Sequence, residues 1–271
     1  VGSEMCIRDR MNMSVMTVTG PVEVETLGIT TIHEHMIVDG SANYKPPDDP
    51  ELRKMAESPL RMDTIGWARK VGWGHLDNCY RLDVDEAIEE INHFKSAGGQ
   101  TVVDQTPAGT SRDPKALRKI AEATGLNIIM GGGYYEEVQH PEYIKERTVD
   151  DIANEIIREI NVGVDGTEIR MGIIGEVGTG NPVTSDEEKV LRASAKAQAS
   201  TGTPLSIHHN IWGRHGPKVL SIAKEEGADL NHTLISHVDL DARCDLSYYE
   251  AVSYTHLRAH ETRHELVCRL L

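Results

Sequence analysis

From Asp83 onward the chain alternates apolar runs with amphipathic segments, and this rhythm limits the folds open to it more than any other feature. "DVDEAIEEINHFKSAGG" sets Val84, Ala87, Ile88, Ile91 and Phe94 at helical spacing, with Asp83 as cap, Glu86 three residues on and Gly98 as stop. "TVVDQT" reads as a strand. "DPKALRKIAEATG" has Asp113 as cap, Pro114 at the first helical position and Gly125 at the stop. "NIIMGGGYY" is a strand, "TVDDIANEIIREINVG" a helix capped by Thr148, and "IRMGIIGEVG" a strand. "SDEEKVLRASAKAQASTG" follows as a helix with a Ser185–Glu188 capping box, then "TPLSIHH" as a strand, "GPKVLSIAKEEG" as a helix and "HTLISHVD" as a strand.

With an earlier run at about Gly28–His35, this gives six strands with helices in nearly every connection. Their apolar character suits parallel strands buried on both faces. Such repeats mean a doubly wound sheet or a (β/α)8 barrel. No G-x-G-x-x-G follows the first strand, so the dinucleotide-binding version loses ground. The glycines of "GIIGEVGTG" and the "GGG" at 131–133 read as tight strand ends, the latter lacking the Lys-Ser/Thr of a P-loop. Ahead of the rhythm, residues 14–27 read as a hairpin turning at Gly20-Pro21, and 36–81, rich in Pro, Asp and Gly, as a rim segment with one short helix.

A chain of 271 residues suffices for one such barrel, and its formal charge of −15 argues against nucleic acid or an anionic membrane as partner. No apolar run approaches the ~20 residues of a membrane span, and no hydrophobic signal core opens the chain, so a cytoplasmic protein is expected. The four cysteines, Cys6, Cys79, Cys244 and Cys268, lack C-x-x-C spacing, so neither a disulfide framework nor a cysteine zinc site is indicated. The expected partner is a small-molecule substrate, with a homodimer as the candidate assembly.

"TIHEHMIVDG" carries His33 and His35 one residue apart. Strand alternation turns both to one face and Glu34 to the other, with the two imidazoles ~6.5 Å apart along the strand. In a (β/α)8 barrel the chemistry sits at the C-terminal strand ends. Those ends carry His33, His35, Asp104, Tyr135, Glu176, His208 and His237. Four imidazoles and one carboxylate on one rim suit zinc or another first-row divalent ion. Five ligands exceed one tetrahedral zinc, so two ions bridged by the carboxylate fit better. Tyr135 reads equally as a pocket residue or as a rim tyrosine packing on a lid. Asp104 and Asp239 are candidates for orienting histidines. His209 alternates to the other face and reads as structural, as do His75, His93, His140, His215 and His232.

"LGITTIHEH", "GIIGEVG", "LSIHH" and "ISHVD", in this order and spacing, resemble the phosphotriesterase family of the amidohydrolase superfamily, from about Thr17 to Tyr249. The resemblance implies a (β/α)8 TIM barrel with two divalent metals, zinc foremost. His33 and His35 would hold the first, His208 and His237 the second, and a fourth-strand carboxylate would bridge them. Many family members bridge with a carboxylated lysine; Glu176 stands here, as in the phosphotriesterase-related branch. The implied activity is hydrolysis of a small ester, lactone or amide by attack of metal-bound hydroxide. Organophosphate triester cleavage and a non-catalytic metal-binding barrel are the alternatives.

The resemblance also implies eight strands and a catalytic aspartate ending the eighth. Six strands are found, and only 33 residues follow Val238. The barrel is therefore expected to be truncated, occupying 11–251, and poorly active as written. Residues 1–10 ("VGSEMCIRDR") and 252–271, the latter histidine- and arginine-rich, resemble translated adapter sequence and are expected to be non-native. The "HETRH" of His260 to His264 formally matches H-E-x-x-H, but nothing near it supplies a third ligand or a zinc-protease fold.

Overall fold

The structure, a computed structural model, describes residues 14–210, 212–238 and 246–256. Asp239 and "HETRH" lie outside the described residues, as do the ends at 1–10 and 257–271.

The chain enters through a hairpin of β1 (Ser14–Thr17) and β2 (Gly20–Glu23). Its turn differs from the expected Gly20-Pro21: Thr17 pairs with Gly20 and Met16 with Pro21, which leaves Val18 and Thr19 as the loop. Gly20 takes the chain out of that loop at φ +119°, a conformation that side chains disfavour, and Thr17 Oγ1 donates to its carbonyl at 2.6 Å. Pro21 is tolerated because it lies in a two-stranded ribbon, where an absent N–H need not break a ladder. Val18 is buried, and its N–H donates to Ile128 O at 2.8 Å, closing the hairpin onto the main sheet.

The first barrel strand is β3 (Thr30–Glu34). The segment after it holds more order than one short helix. It contains β4 (Val38–Asp39), α1 (Pro50–Ala56), α2 (Ile65–Val71) and β5 (Tyr80–Arg81), with β4 and β5 paired antiparallel. Asp49 caps α1 through the amides of Glu51 and Leu52, and Pro50 occupies its first turn. Two seven-residue helices fall below the length at which periodicity becomes readable.

Regular alternation follows: α3 (Val84–Ser96), β6 (Thr101–Asp104), α4 (Pro114–Thr124), β7 (Asn127–Met130), α5 (Val149–Asn161) and β8 (Ile174–Thr179). Then come α6 (Ser185–Thr201), β9 (Leu205–His209), α7 (Gly216–Glu225), β10 (Thr233–Ser236) and α8 (Leu246–His256). Asp83, Asp113 and Thr148 cap their helices as expected. The α6 box is Thr184–Glu187, one residue earlier than Ser185–Glu188. Glu187 is drawn inward by other backbone amides, whereas Glu188 pairs with Arg192 on the outside.

Strands β3, β6 and β7 pair in parallel, as do β8, β9 and β10. Reciprocal hydrogen bonds between Gly132 and Gly175, of 3.0 and 2.6 Å, join the two groups. That junction explains the glycines: a Cβ on Gly131 would collide with the Gly175 carbonyl oxygen. The six strands therefore form two parallel three-stranded sheets in chain order, joined by a short antiparallel bridge at Gly132 and Gly175; a closed barrel is not present among the described residues. β6 and β8 are buried at every position, and Val102, Ile128, Ile174, Leu205 and Ile207 pack under helix residues such as Leu117, Ile152 and Leu191. Helix α8 crosses the boundary expected at 251, with Val252 buried against Leu220 and Tyr248. No described helix is long and apolar enough to cross a membrane.

Candidate metal centre

Parallel strands put all their C-terminal ends on one rim, and the histidines meet there around one carboxylate. Glu176, inside β8, is 2% exposed. Its Oε1 lies 3.2 Å from His33 Nε2, 2.5 Å from His208 Nδ1 and 3.0 Å from His237 Nε2. Its Oε2 lies 3.4 Å from His35 Nε2. The rings meet edge-on or tilted, with centroids 5.2 Å apart for His33 and His35 and 4.8 Å for both His33–His237 and His208–His237. All five expected ligands therefore converge, from four different strands.

Hydrogen bonding alone accounts poorly for this arrangement. A carboxylate oxygen offers about two lone-pair sites, yet three imidazole nitrogens crowd Oε1. The donor atoms of His33, Glu176 and His237 all lie within 4.8 Å of one another. Ligands of a tetrahedral zinc stand about 3.3 Å apart, given Zn–N distances of ~2.0–2.1 Å. Donor type and spacing thus fit a divalent cation. The electrostatics agree in sign. Burial opposes the charged form of Glu176, but His208, His237 and His33 outweigh it and hold the carboxyl well below its usual range. Burial likewise opposes charge on His35, and Glu176, Asp104 and Glu34 overcome it, raising that imidazole's pKa.

Local structure aims each group. His33 near the end of β3 and His35 just past it both reach Glu176, while Glu34 Oε1 accepts from Thr31 Oγ1 across a stretch where the register with β6 shifts. His237 follows β10 at φ +65°, a left-handed conformation uncommon for a side-chain-bearing residue. Asp104 is fully buried, and burial raises its pKa. It acts on His35 at one remove: its carboxylate accepts from Met36 N–H at 2.7 Å and Thr106 N–H at 3.1 Å, and Thr106 Oγ1 lies 3.1 Å from His35 Nδ1. Tyr135 Oη is 3.2 Å from His208 Nε2, with burial and the Glu176 and Glu136 charges pushing its pKa up. This contact puts Tyr135 at the site. His209 turns away, with Nε2 2.7 Å from Tyr248 Oη.

Thr106 and Glu136 have no sequence signal of their own. Glu136 Oε1 lies 3.9 Å from His208 Nε2 and accepts from Asn210 Nδ2 at 3.3 Å. Glu136 adjoins Tyr135, and Thr106 lies two residues past Asp104, so proximity to a strand end was the available hint.

The model of the phosphotriesterase family matches residues 13–255. The N-acetyltaurine hydrolase of Xenopus tropicalis is 39% identical over 226 residues, which cover 83% of this chain and 64% of that protein. A phosphotriesterase-related protein of Nematostella vectensis is 38% identical, over 82% of this chain and 65% of its own. The chain thus spans just under two thirds of the length of these curated relatives. Among solved structures, a resiniferatoxin-binding protein from Rhodobacter sphaeroides superposes with a TM-score of 0.87 at 39% identity, over 90% of this chain and 68% of that one. An organophosphorus hydrolase from Deinococcus radiodurans gives 0.70 at 28% identity, over 90% and 66%. The strand-end histidines, the parallel α/β wall and a match over nearly the whole described chain agree: this chain belongs to the phosphotriesterase family.

Proposed function

We propose that the full protein is a hydrolase holding two divalent ions, zinc foremost, and cleaving a small amide, ester or lactone. The observation that carries this reading is the buried Glu176 carboxylate with imidazoles on both its oxygens. His33 and His35 would hold one ion, His208 and His237 the other, and Glu176 both. Divalent ions there would bring a water's pKa toward ~7 and polarise the oxygen of the scissile group.

The chain's own residues supply the rest. Glu176 is anionic without chemical modification and offsets part of the cationic charge. Thr106, tied to Asp104, keeps the His35 ring in place. The Tyr135 hydroxyl keeps its proton well above neutral pH and stands beside His208, where it can donate to a substrate oxygen.

An amide is the favoured substrate, because relatives at 36–39% identity are named for N-acetyltaurine, an N-acyl amide. Lactone or organophosphate cleavage rests on neighbours at 28–29% identity. A barrel that binds without turnover is favoured by the Rhodobacter protein's name. The test is made on the full-length protein: metal content, then turnover of N-acyl amides, esters, lactones and organophosphates. Two ions per chain, loading indifferent to bicarbonate, and amide turnover are expected, with His208→Ala lowering the metal count. A protein that takes up no metal refutes the reading. One that binds two ions and cleaves none of the panel is the binding barrel.

A further inference from the structure

His208 is held from behind as well as from the site. Thr179 ends β8 and is fully buried; its Oγ1 lies 2.5 Å from the His208 carbonyl oxygen and 3.1 Å from His215 Nε2. A carbonyl can only accept, so the single Thr179 hydroxyl proton goes to His208 O. The second contact must then run the other way, with His215 Nε2–H donating to the Thr179 oxygen. The relay fixes His215 as the Nε2–H tautomer. Burial holds the pKa of this imidazole below its ordinary value, in keeping with a neutral ring.

His215 is itself seated. It is the residue before α7, and its ring lies 4.5 Å from that of His209 at 31°. His209 Nε2 meets Tyr248 Oη at 2.7 Å, and the same oxygen accepts from Gly216 N–H at 3.1 Å. The hydroxyl of Thr179 is thus backed by a packed group drawn from β9, α7 and α8. Ladder pairing already sets β9 against β8, with Gly178 opposite His208. What the hydroxyl adds is a bond at the residue whose imidazole lies 2.5 Å from Glu176 Oε1 and 3.2 Å from Tyr135 Oη.

We infer that Thr179, backed by His215, is a positioning residue that sets the His208 imidazole against Glu176 and thereby the affinity of one of the two ion sites. The inference rests on the proposed metal-holding role of His208. Partners that hydrogen-bond a ligating side chain typically alter metal affinity ~10–100-fold when lost, and Thr179, which bonds the His208 main chain, is expected at the lower end of that range.

The test uses the full-length protein, stripped of metal and titrated with Zn2+ against a competing chelator, with melting of each metal-free form measured in parallel. Thr179→Val removes the hydroxyl at nearly constant shape, Thr179→Ser keeps it, and His215→Phe removes the donor while keeping a ring against His209. Thr179→Val is expected to weaken one zinc by about tenfold or more, with the other nearly unchanged. Thr179→Ser should restore wild-type binding, and His215→Phe should weaken the same zinc. Wild-type affinity for both ions in Thr179→Val overturns the inference. So does equal loss at both sites accompanied by a lower melting temperature, which marks a role in folding alone. Should Thr179→Val fail to fold, unaltered zinc binding in His215→Phe overturns it. A wild-type protein that binds no zinc sinks the metal reading itself, so the two failures separate.

Discussion

The His140 imidazole has one partner and room for no second charge. Its Nε2 lies 2.6 Å from the Tyr135 carbonyl, and its Nδ1 is buried with no hydrogen-bond partner among the described residues. Because a carbonyl accepts, Nε2 carries the proton and Nδ1 a bare lone pair. Protonating Nδ1 would bury an unpaired N–H, and burial duly lowers this pKa below its ordinary value of about 6.5. The unfolded chain therefore binds a proton near pH 6.5 that the folded chain still refuses. Stability attributable to this group is present above that pH and is lost as pH falls below it. His140→Gln, which keeps a donor for Tyr135 but does not titrate, should lose less stability between pH 7.5 and 5.5 than wild type in urea unfolding. Equal losses would mean that His140 charges freely in the folded state. The strand-end histidines and Glu176 were legible because spacing and position announce them. Thr106 and Glu136 were not, since each acquires its role only when a neighbouring strand brings His35 or His208 within reach.

One helix start does more than begin a helix. The Glu187 carboxylate, 2% exposed, accepts from the amides of Thr184 at 3.0 Å, Gly180 at 3.0 Å and Glu137 at 3.1 Å. It thereby ties α6 to the exit of β8 and to the loop bearing Tyr135 and Glu136. Losing an N-cap hydroxyl costs ~1 kcal/mol, so Thr184→Ala should cost about that much. Leaving the buried Gly180 amide unpaired costs ~1–3 kcal/mol, and the half-buried amides of Thr184 and Glu137 add less, so Glu187→Ala should cost ~2 kcal/mol or more. Denaturant unfolding of the two variants checks this, and equal losses would reduce Glu187 to an ordinary cap. The sequence shows why the register of this box was not legible. Thr184 and Ser185 each have a glutamate three residues on, and only tertiary amides decide which one turns inward. The Gly20-Pro21 turn was misplaced for a related reason: those residues suit a turn, but the pairing of β1 with β2 put them in a strand. Helices α3 to α6, by contrast, have their own side-chain caps, α7 opens on Gly216-Pro217 without one, and the periodicity of all five was readable within a residue or two.

Across the molecule, burial is uneven in a way that bears on the site. β6 and β8 are buried throughout, whereas Ile32 on β3 is 37% and Leu234 on β10 is 38% exposed, with Ile29 beside β3 at 62%. Among the described residues, β3 pairs only with β6, and β10 only with β9. β3 and the residue after it carry His33 and His35, and His237 directly follows β10. The candidate ion site therefore spans elements that are each supported on one side, where unpaired strand edges invite association. Joining residues 14–256 to the two further strands that the family resemblance implies, taken from the part of a relative such as the Rhodobacter protein that this chain does not cover, should cover both edges. The chimera is expected to stay monodisperse at concentrations where the 271-residue chain associates, and to bind zinc more tightly. Its hydrolysis should be faster by ~10²–10⁴ if those strands also bring a general base. Light scattering, zinc titration and amide turnover on the two proteins make the comparison. Equal dispersity, zinc affinity and turnover would show that six strands suffice, and that Ile32 and Leu234 are ordinary surface residues.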